Sequence, residues 1–170
     1  MSEKLILSVL VDNQSGVLQR VASLFSRRGY NIKSLTVSET EDPAFSRMTI
    51  VTETAPEMTR QIEMQLIKLE IVRKVEVLRR ENSVSSELLL IKVCAKGTEK
   101  KNAILALNLK YGARVRDFTP DSVTIELTGR PETIDEFITS VSDFGIIELA
   151  RTGLTSLECG GDSFSNDVKV

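Results

Sequence analysis

Residues 5–11, reading LILSVLV, place Leu5, Leu7, Val9 and Val11 on one wholly apolar face, and this period of two predicts a β-strand. The period then changes. Val17, Leu18, Val21, Leu24 and Phe25 recur at three- and four-residue spacing, with Gln19, Arg20, Arg27 and Arg28 mainly on the other side. That pattern predicts an amphipathic helix opened by Gly16 and closed by Gly29 as a C-cap. A second strand is expected over 30–40, then the turn Glu41-Asp42-Pro43, then a hairpin partner over 45–53. Pro56 suits the first turn of another helix, whose face carries Met58, Ile62, Leu66 and Leu69; residues 71–78 complete the unit as a strand.

The order β-α-β-β-α-β then repeats. Residues 88–95 read as a strand and 98–111 as a helix with Ala103, Ile104, Leu107 and Tyr111 inward. Strands at 114–118 and 123–127 flank the turn Thr119-Pro120-Asp121, a helix presents Ile134, Phe137, Ile138 and Val141, and 146–150 is the last strand. The fold class is therefore α+β, two tandem ferredoxin-like modules, each a four-stranded antiparallel sheet with two helices on one face. The expected boundaries are 1–80 for the first module, 81–87 for a polar linker, 88–159 for the second module and 160–170 for a mobile polar tail.

In such a module the second sheet face and the edge strands are left over. Ile6 and Leu10 flank Ser8 on that second face, too apolar to stand in water. A homodimer through the first module is expected, by edge pairing, face packing or both.

Composition narrows the function classes. With 170 residues, 41% hydrophobic and 27% charged, the chain has the makings of a globular protein that buries roughly two-thirds of its unfolded surface. A net charge of -2 supplies no general attraction to phosphate backbones or anionic lipids, so nucleic acid and membrane are not expected partners. Apolar runs such as Leu88-Leu89-Leu90-Ile91 are strand-sized, far short of the roughly 20 residues of a spanning helix. The start, Met1-Ser2-Glu3-Lys4, lacks the layout of a secretory signal, and a cytoplasmic protein is expected. There is no histidine, which removes the commonest general base and metal ligand; no metal site is expected. Cys94 and Cys159 form no CxxC pair, and Cys94 reads as a buried hydrophobe.

What chemistry remains is concentrated between residues 11 and 37. The loop Asn13 to Gly16 at a helix start offers backbone N–H groups and the positive end of the helix dipole, worth roughly 0.3 to 2 kcal/mol to an anion. Gly16 permits close backbone approach, the amides of Asn13 and Asn31 can donate and accept, and Val17, Leu18 and Ile32 could wall an aliphatic group. Together these suit the carboxylate, ammonium and side chain of a free amino acid. The commoner use of Asn-x-x-Gly before a helix is a plain turn and cap, and the residues alone leave amino-acid binding the minority reading. An acylphosphatase-like enzyme using the loop as a phosphate cradle is a further alternative. An RNA-binding module shares the element order, but 5–12 lack the stacking aromatics it needs.

The stretch DNQSGVLQRVASLFSRRGYNIKSLTV, with DPAFSRMTIV and later ARTG, closely resembles the regulatory small subunits of acetolactate synthase, also called acetohydroxyacid synthase. The resemblance is strongest over 4–80 and looser over 84–160, and departs from the family pattern at Lys33 and Cys159. It implies an N-terminal ACT domain and a non-catalytic subunit of branched-chain amino acid biosynthesis. Such a subunit activates a separate thiamine-diphosphate-dependent large subunit and confers feedback inhibition, usually by valine. By motif position the effector contacts are Asn13, Gly16, Val17 and Leu18 of one protomer and Asn31 and Ile32 of its neighbour. Thiamine diphosphate, FAD and magnesium are expected in the catalytic partner only. A stand-alone ACT-type amino-acid sensor is the nearest alternative.

Overall fold

The computed structural model describes residues 3–161 and Phe164. The tail expected to be mobile, 160–170, lies mostly outside the described residues. The first sheet is built from β1 (Glu3–Asp12), β2 (Ile32–Glu39), β3 (Phe45–Thr54) and β4 (Val72–Leu78), in the order β2-β3-β1-β4, with the neighbouring strands antiparallel. The helices α1 (Val17–Arg27) and α2 (Thr59–Leu66) supply the apolar layer on one face. The second sheet repeats the order as β6-β7-β5-β8, with β5 (Ser83–Cys94), β6 (Arg114–Phe118), β7 (Ser122–Gly129) and β8 (Ile146–Arg151), and helices α3 (Thr98–Tyr111) and α4 (Pro131–Val141). The expected α+β architecture of two split-βαβ modules is what the chain adopts.

Burial of the right stripe explains why these segments form these elements. On α1 the buried residues are Val17, Val21, Leu24 and Phe25, spaced to face Leu7, Val9 and Val11 of β1 within one core. The helix ends in a Schellman motif: Tyr30 N–H donates to the Phe25 carbonyl at 3.0 Å and Gly29 N–H to that of Ser26 at 3.1 Å, with Gly29 at φ 71°. Phe25 and Tyr30 then meet edge to face, centroids 6.2 Å apart. Helix α3 stops the same way, Ala113 N–H reaching the Asn108 carbonyl at 2.8 Å around Gly112.

Two stretches depart from the expected boundaries. β5 begins at Ser83, inside the polar run expected as a linker, and Glu87 there is only 7% exposed because Arg151 lies across it. A ninth strand, β9 (Thr155–Glu158), pairs with β5. The chain divides into two compact units, 1–84 with 154–170, and 85–153, so residues 154–159 lie on the first unit. There Leu154 packs with Ile6, Val51 and Leu78 on the sheet face away from the helices. The apolar patch that the alternation of β1 flags is thus covered by the chain itself.

In the second unit Arg116 makes a two-pronged bond to Glu126, Nε to Oε2 at 2.7 Å and Nη2 to Oε1 at 2.8 Å. This hydrogen bond, with the positive charges of Arg116 and Arg114, holds the Glu126 carboxyl below its ordinary range. A depressed carboxyl contributes stability above its unfolded pKa, about 4.3, and loses it as pH falls through the folded value. Thermal melts from pH 7 to pH 3 should therefore show a smaller acid destabilisation in Glu126→Gln than in the parent.

Candidate functional site

The loop between β1 and α1 is held from three sides. Asp12 closes β1 with a bidentate pair to Arg73, Nε to Oδ1 at 2.6 Å and Nη2 to Oδ2 at 2.9 Å, and its N–H reaches the Ile71 carbonyl at 2.9 Å. The N–H of Asn13 donates to the Ala44 carbonyl at 2.8 Å. The Asn13 side chain donates to Glu39 Oε1 at 3.0 Å and to the Pro43 carbonyl at 2.9 Å, and accepts from Ser46 Oγ at 3.1 Å. Both amide hydrogens are committed, so Asn13 ties the loop to the β2–β3 hairpin and keeps one acceptor lone pair for anything else.

Gly16 stands at the N-cap of α1 in the left-handed region, φ 83° and ψ -3°, and supplies no side-chain cap. A Cβ there would meet nothing within 4 Å, so conformation rather than space calls for glycine. With no cap, the N–H groups of Leu18 and Gln19 in the first turn have no intrahelical acceptor. This is a loop with exposed donors at a positive helix end.

Val17 and Leu18 part company. Val17 is 5% exposed and belongs to the core beneath the helix, where the stripe that faces the sheet claims its side chain, so that side chain is not available as the aliphatic wall expected of it. Leu18, one position round the helix, is 47% exposed. Asn31 is exposed, its carbonyl accepting from Thr52 Oγ1 at 2.7 Å, and its side chain bonds to no described residue. Ile32 opens edge strand β2, half-buried against the core. Lys33 beside it pairs with Glu53 at 3.2 Å.

The register places these residues in two separate groups. Val11 and Glu39 both pair with Ser46, whereas Leu5 and Ile32 both pair with Thr52. The Asn13–Leu18 group and the Asn31–Ile32 group therefore lie at opposite ends of one sheet, separated by the run of β3 from Ser46 to Thr52, about 20 Å. One copy of the chain does not bring them together.

A cavity of about 790 Å³ lies elsewhere in the same unit, with Leu10, Thr36, Arg47, Lys74 and Glu76 on the sheet and Phe164 in its lining. None of the six expected residues lines it. Burial lowers the pKa of Arg47, opposed by the charges of Glu76 and Glu41, and the Phe164 ring stacks 4.6 Å from its guanidinium carbon. Among the described residues no cluster of three or more acidic or cysteine side chains could hold a metal, and no helix is long and apolar enough to cross a membrane.

Residues 7–74 match the family model described as an AHAS small subunit-like ACT domain, and residues 86–160 match that of the small subunit of acetolactate synthase. The chain belongs to the acetolactate synthase small-subunit family. It is 47% identical over 154 residues to the acetolactate synthase small subunit of Mycolicibacterium smegmatis, covering 91% of this chain and 90% of that one. A probable acetolactate synthase small subunit of Methanothermobacter thermautotrophicus is 43% identical over 155 residues, covering 91% and 92%. The crystal structure of the acetolactate synthase small subunit from Thermotoga maritima superposes with a TM-score of 0.87 at 35% identity, covering 94% and 99%. As a small subunit with an ACT domain, the chain is a regulatory component beside a large subunit that carries catalysis.

Sequence reasoning missed the ties that shape the site. Arg73, Glu39, Pro43 and Ser46 are distant in the chain from Asn13 or Asp12, and only strand pairing makes them neighbours.

Proposed function

We propose that this small subunit raises the activity of its thiamine-diphosphate-dependent large subunit. Valine, or another branched-chain amino acid, reverses the effect by binding between two copies of the chain. The observation that carries the reading is the split site: helix-end donors at one end of the sheet, a free amide at the other. Pairing the edge strand β2 antiparallel with its counterpart across a two-fold axis would bring the Asn31 end of one copy towards the Asn13 end of the other. The alternative of packing sheet face on sheet face is disfavoured, because Leu154 already covers the apolar part of that face.

In the shared site the ligand carboxylate meets the N–H groups of the first turn of α1 and the Asn31 amide of the neighbouring copy. The remaining lone pair of Asn13 Oδ1 takes the ammonium, and Leu18 with the neighbour's Ile32 flanks the side chain. Thiamine diphosphate, FAD and magnesium belong to the large subunit in this reading, and both proteins work in the cytoplasm.

The decisive experiment is an acetolactate synthase assay of a large subunit with and without this chain, titrated with valine, leucine and isoleucine. Stimulation by the chain, followed by inhibition with at least one of the three, is expected; stimulation absent at every ratio would end the proposal. Sedimentation at micromolar concentration should give a dimer, and a monomer in the presence of valine would remove the shared site. Leu18→Ala should weaken valine about fivefold by calorimetry, the loss of roughly 1 kcal/mol of half-exposed apolar contact.

A further inference from the structure

We infer that Leu154, latched to Ser34 and Thr36 on β2, passes the ligand state of the effector edge to the second unit. This rests on the reading that Asn31 and Ile32 at the start of β2 contact the effector. Leu154 is 1% exposed, with its side chain among Ile6, Val51 and Leu78. Both of its backbone polar groups are held by side chains of β2: its N–H donates to Ser34 Oγ at 3.1 Å, and its carbonyl accepts from Thr36 Oγ1. Ser34 and Thr36 are two apart on one face of the strand, so any shift of β2 along its axis displaces both partners together.

β2 also has a place to shift. Ile32 pairs with Thr52 but Ser34 pairs with Val51, so the ladder slips between the effector residue and the first latch residue. Such a bulge leaves one residue, Lys33, outside the ladder and is where the strand can bend, carrying Ser34 and Thr36 with it while they keep their face. The other side of the latch has almost no slack. Thr152 N–H donates to the Leu88 carbonyl at 3.1 Å, and its Oγ1 accepts from Leu88 N–H at 3.1 Å. Arg151 is fixed by Glu87 and Asp135. Only Gly153, at φ 86°, separates these anchors on the second unit from Leu154 on the first. Leu78, at the end of β4, belongs to the same cluster as Leu154, and the chain passes to the second unit after Val84.

The test uses Ser34→Ala/Thr36→Val, which removes both hydroxyls while keeping size, with Thr36→Ser as the variant that restores the donor. Calorimetry of each chain with valine is paired with acetolactate synthase assays of each chain with its large subunit. The double variant should bind valine within about threefold of the parent and stimulate the large subunit normally. Its maximal inhibition at saturating valine should fall at least fivefold, and Thr36→Ser should keep full inhibition. Parental inhibition in the double variant overturns the inference, and so does a loss of valine affinity beyond tenfold, which would make the hydroxyls part of the binding site. Failure of the parent to bind valine instead removes the underlying reading. Should the double variant not fold, amide exchange of the parent decides: valine must change protection at Leu154 at least tenfold, and no change overturns the inference.

Discussion

Gly16→Asp is expected to raise the valine dissociation constant at least thirtyfold and so to abolish feedback in the reconstituted enzyme at valine concentrations that silence the parent. Two effects follow. The new carboxylate sits at the N-cap, where a bound carboxylate would draw on the same N–H groups and the same end of the helix dipole. The backbone at φ 83° also penalises any Cβ by about 1 kcal/mol, less for Asp than for branched residues. The lost attraction of the helix end and the repulsion between the two carboxylates together weaken binding by about 2 kcal/mol, which is thirtyfold. The backbone penalty is common to the free and bound chain and falls on folding stability alone. The substitution meets no steric obstacle within 4 Å, so thermal melting should move by only a few degrees and the loss can be read as a binding effect. Valine titrations by calorimetry and by inhibition check it, and unchanged inhibition would place the effector elsewhere, with the cavity beside Arg47 as the next candidate.

The largest structural effect is expected from Arg151→Ala, which should destabilise the second unit by about 3 kcal/mol and lower its melting temperature by roughly 15 °C. Arg151 joins Glu87 on β5 and Asp135 on α4, the latter at 2.7 Å, and Glu87 is almost completely out of water. Removing the guanidinium strands a buried carboxylate, and that desolvation rather than the lost attraction dominates. The double substitution Arg151→Met/Glu87→Leu should therefore recover most of the loss. If the double variant is as unstable as Arg151→Ala, packing of the arginine stem and not the buried charge is responsible. Calorimetric melts of the full chain distinguish the two.

How much of this could be read in advance depends on the range of the interaction. The helix α1, its Schellman stop at Gly29 and the βαββαβ order follow from apolar spacing and cap residues within a few positions of one another. Residues 154–158 carry no comparable periodicity, so the fold-back of Leu154 onto Ile6, Val51 and Leu78 was invisible, although the exposed apolar face it satisfies was legible in the alternation of β1. Of the apolar stripe Val17, Leu18, Val21, Leu24 and Phe25, all but Leu18 are buried, and Gly16 opens the helix as the spacing predicts. Val17 turned inward, and Asn13 is engaged with Glu39, Pro43 and Ser46, contacts set by strand register.

The local pattern by itself determined that this chain would form two α+β modules with a donor-rich helix start, because periodicity and capping act over short distances. Only the tertiary structure decided that the two asparagines lie about 20 Å apart, since strand order and register are long-range choices. It also decided that the apolar part of the bare sheet face is closed by the returning chain and that β2 stands at the edge of its sheet, because both depend on contacts far apart in sequence.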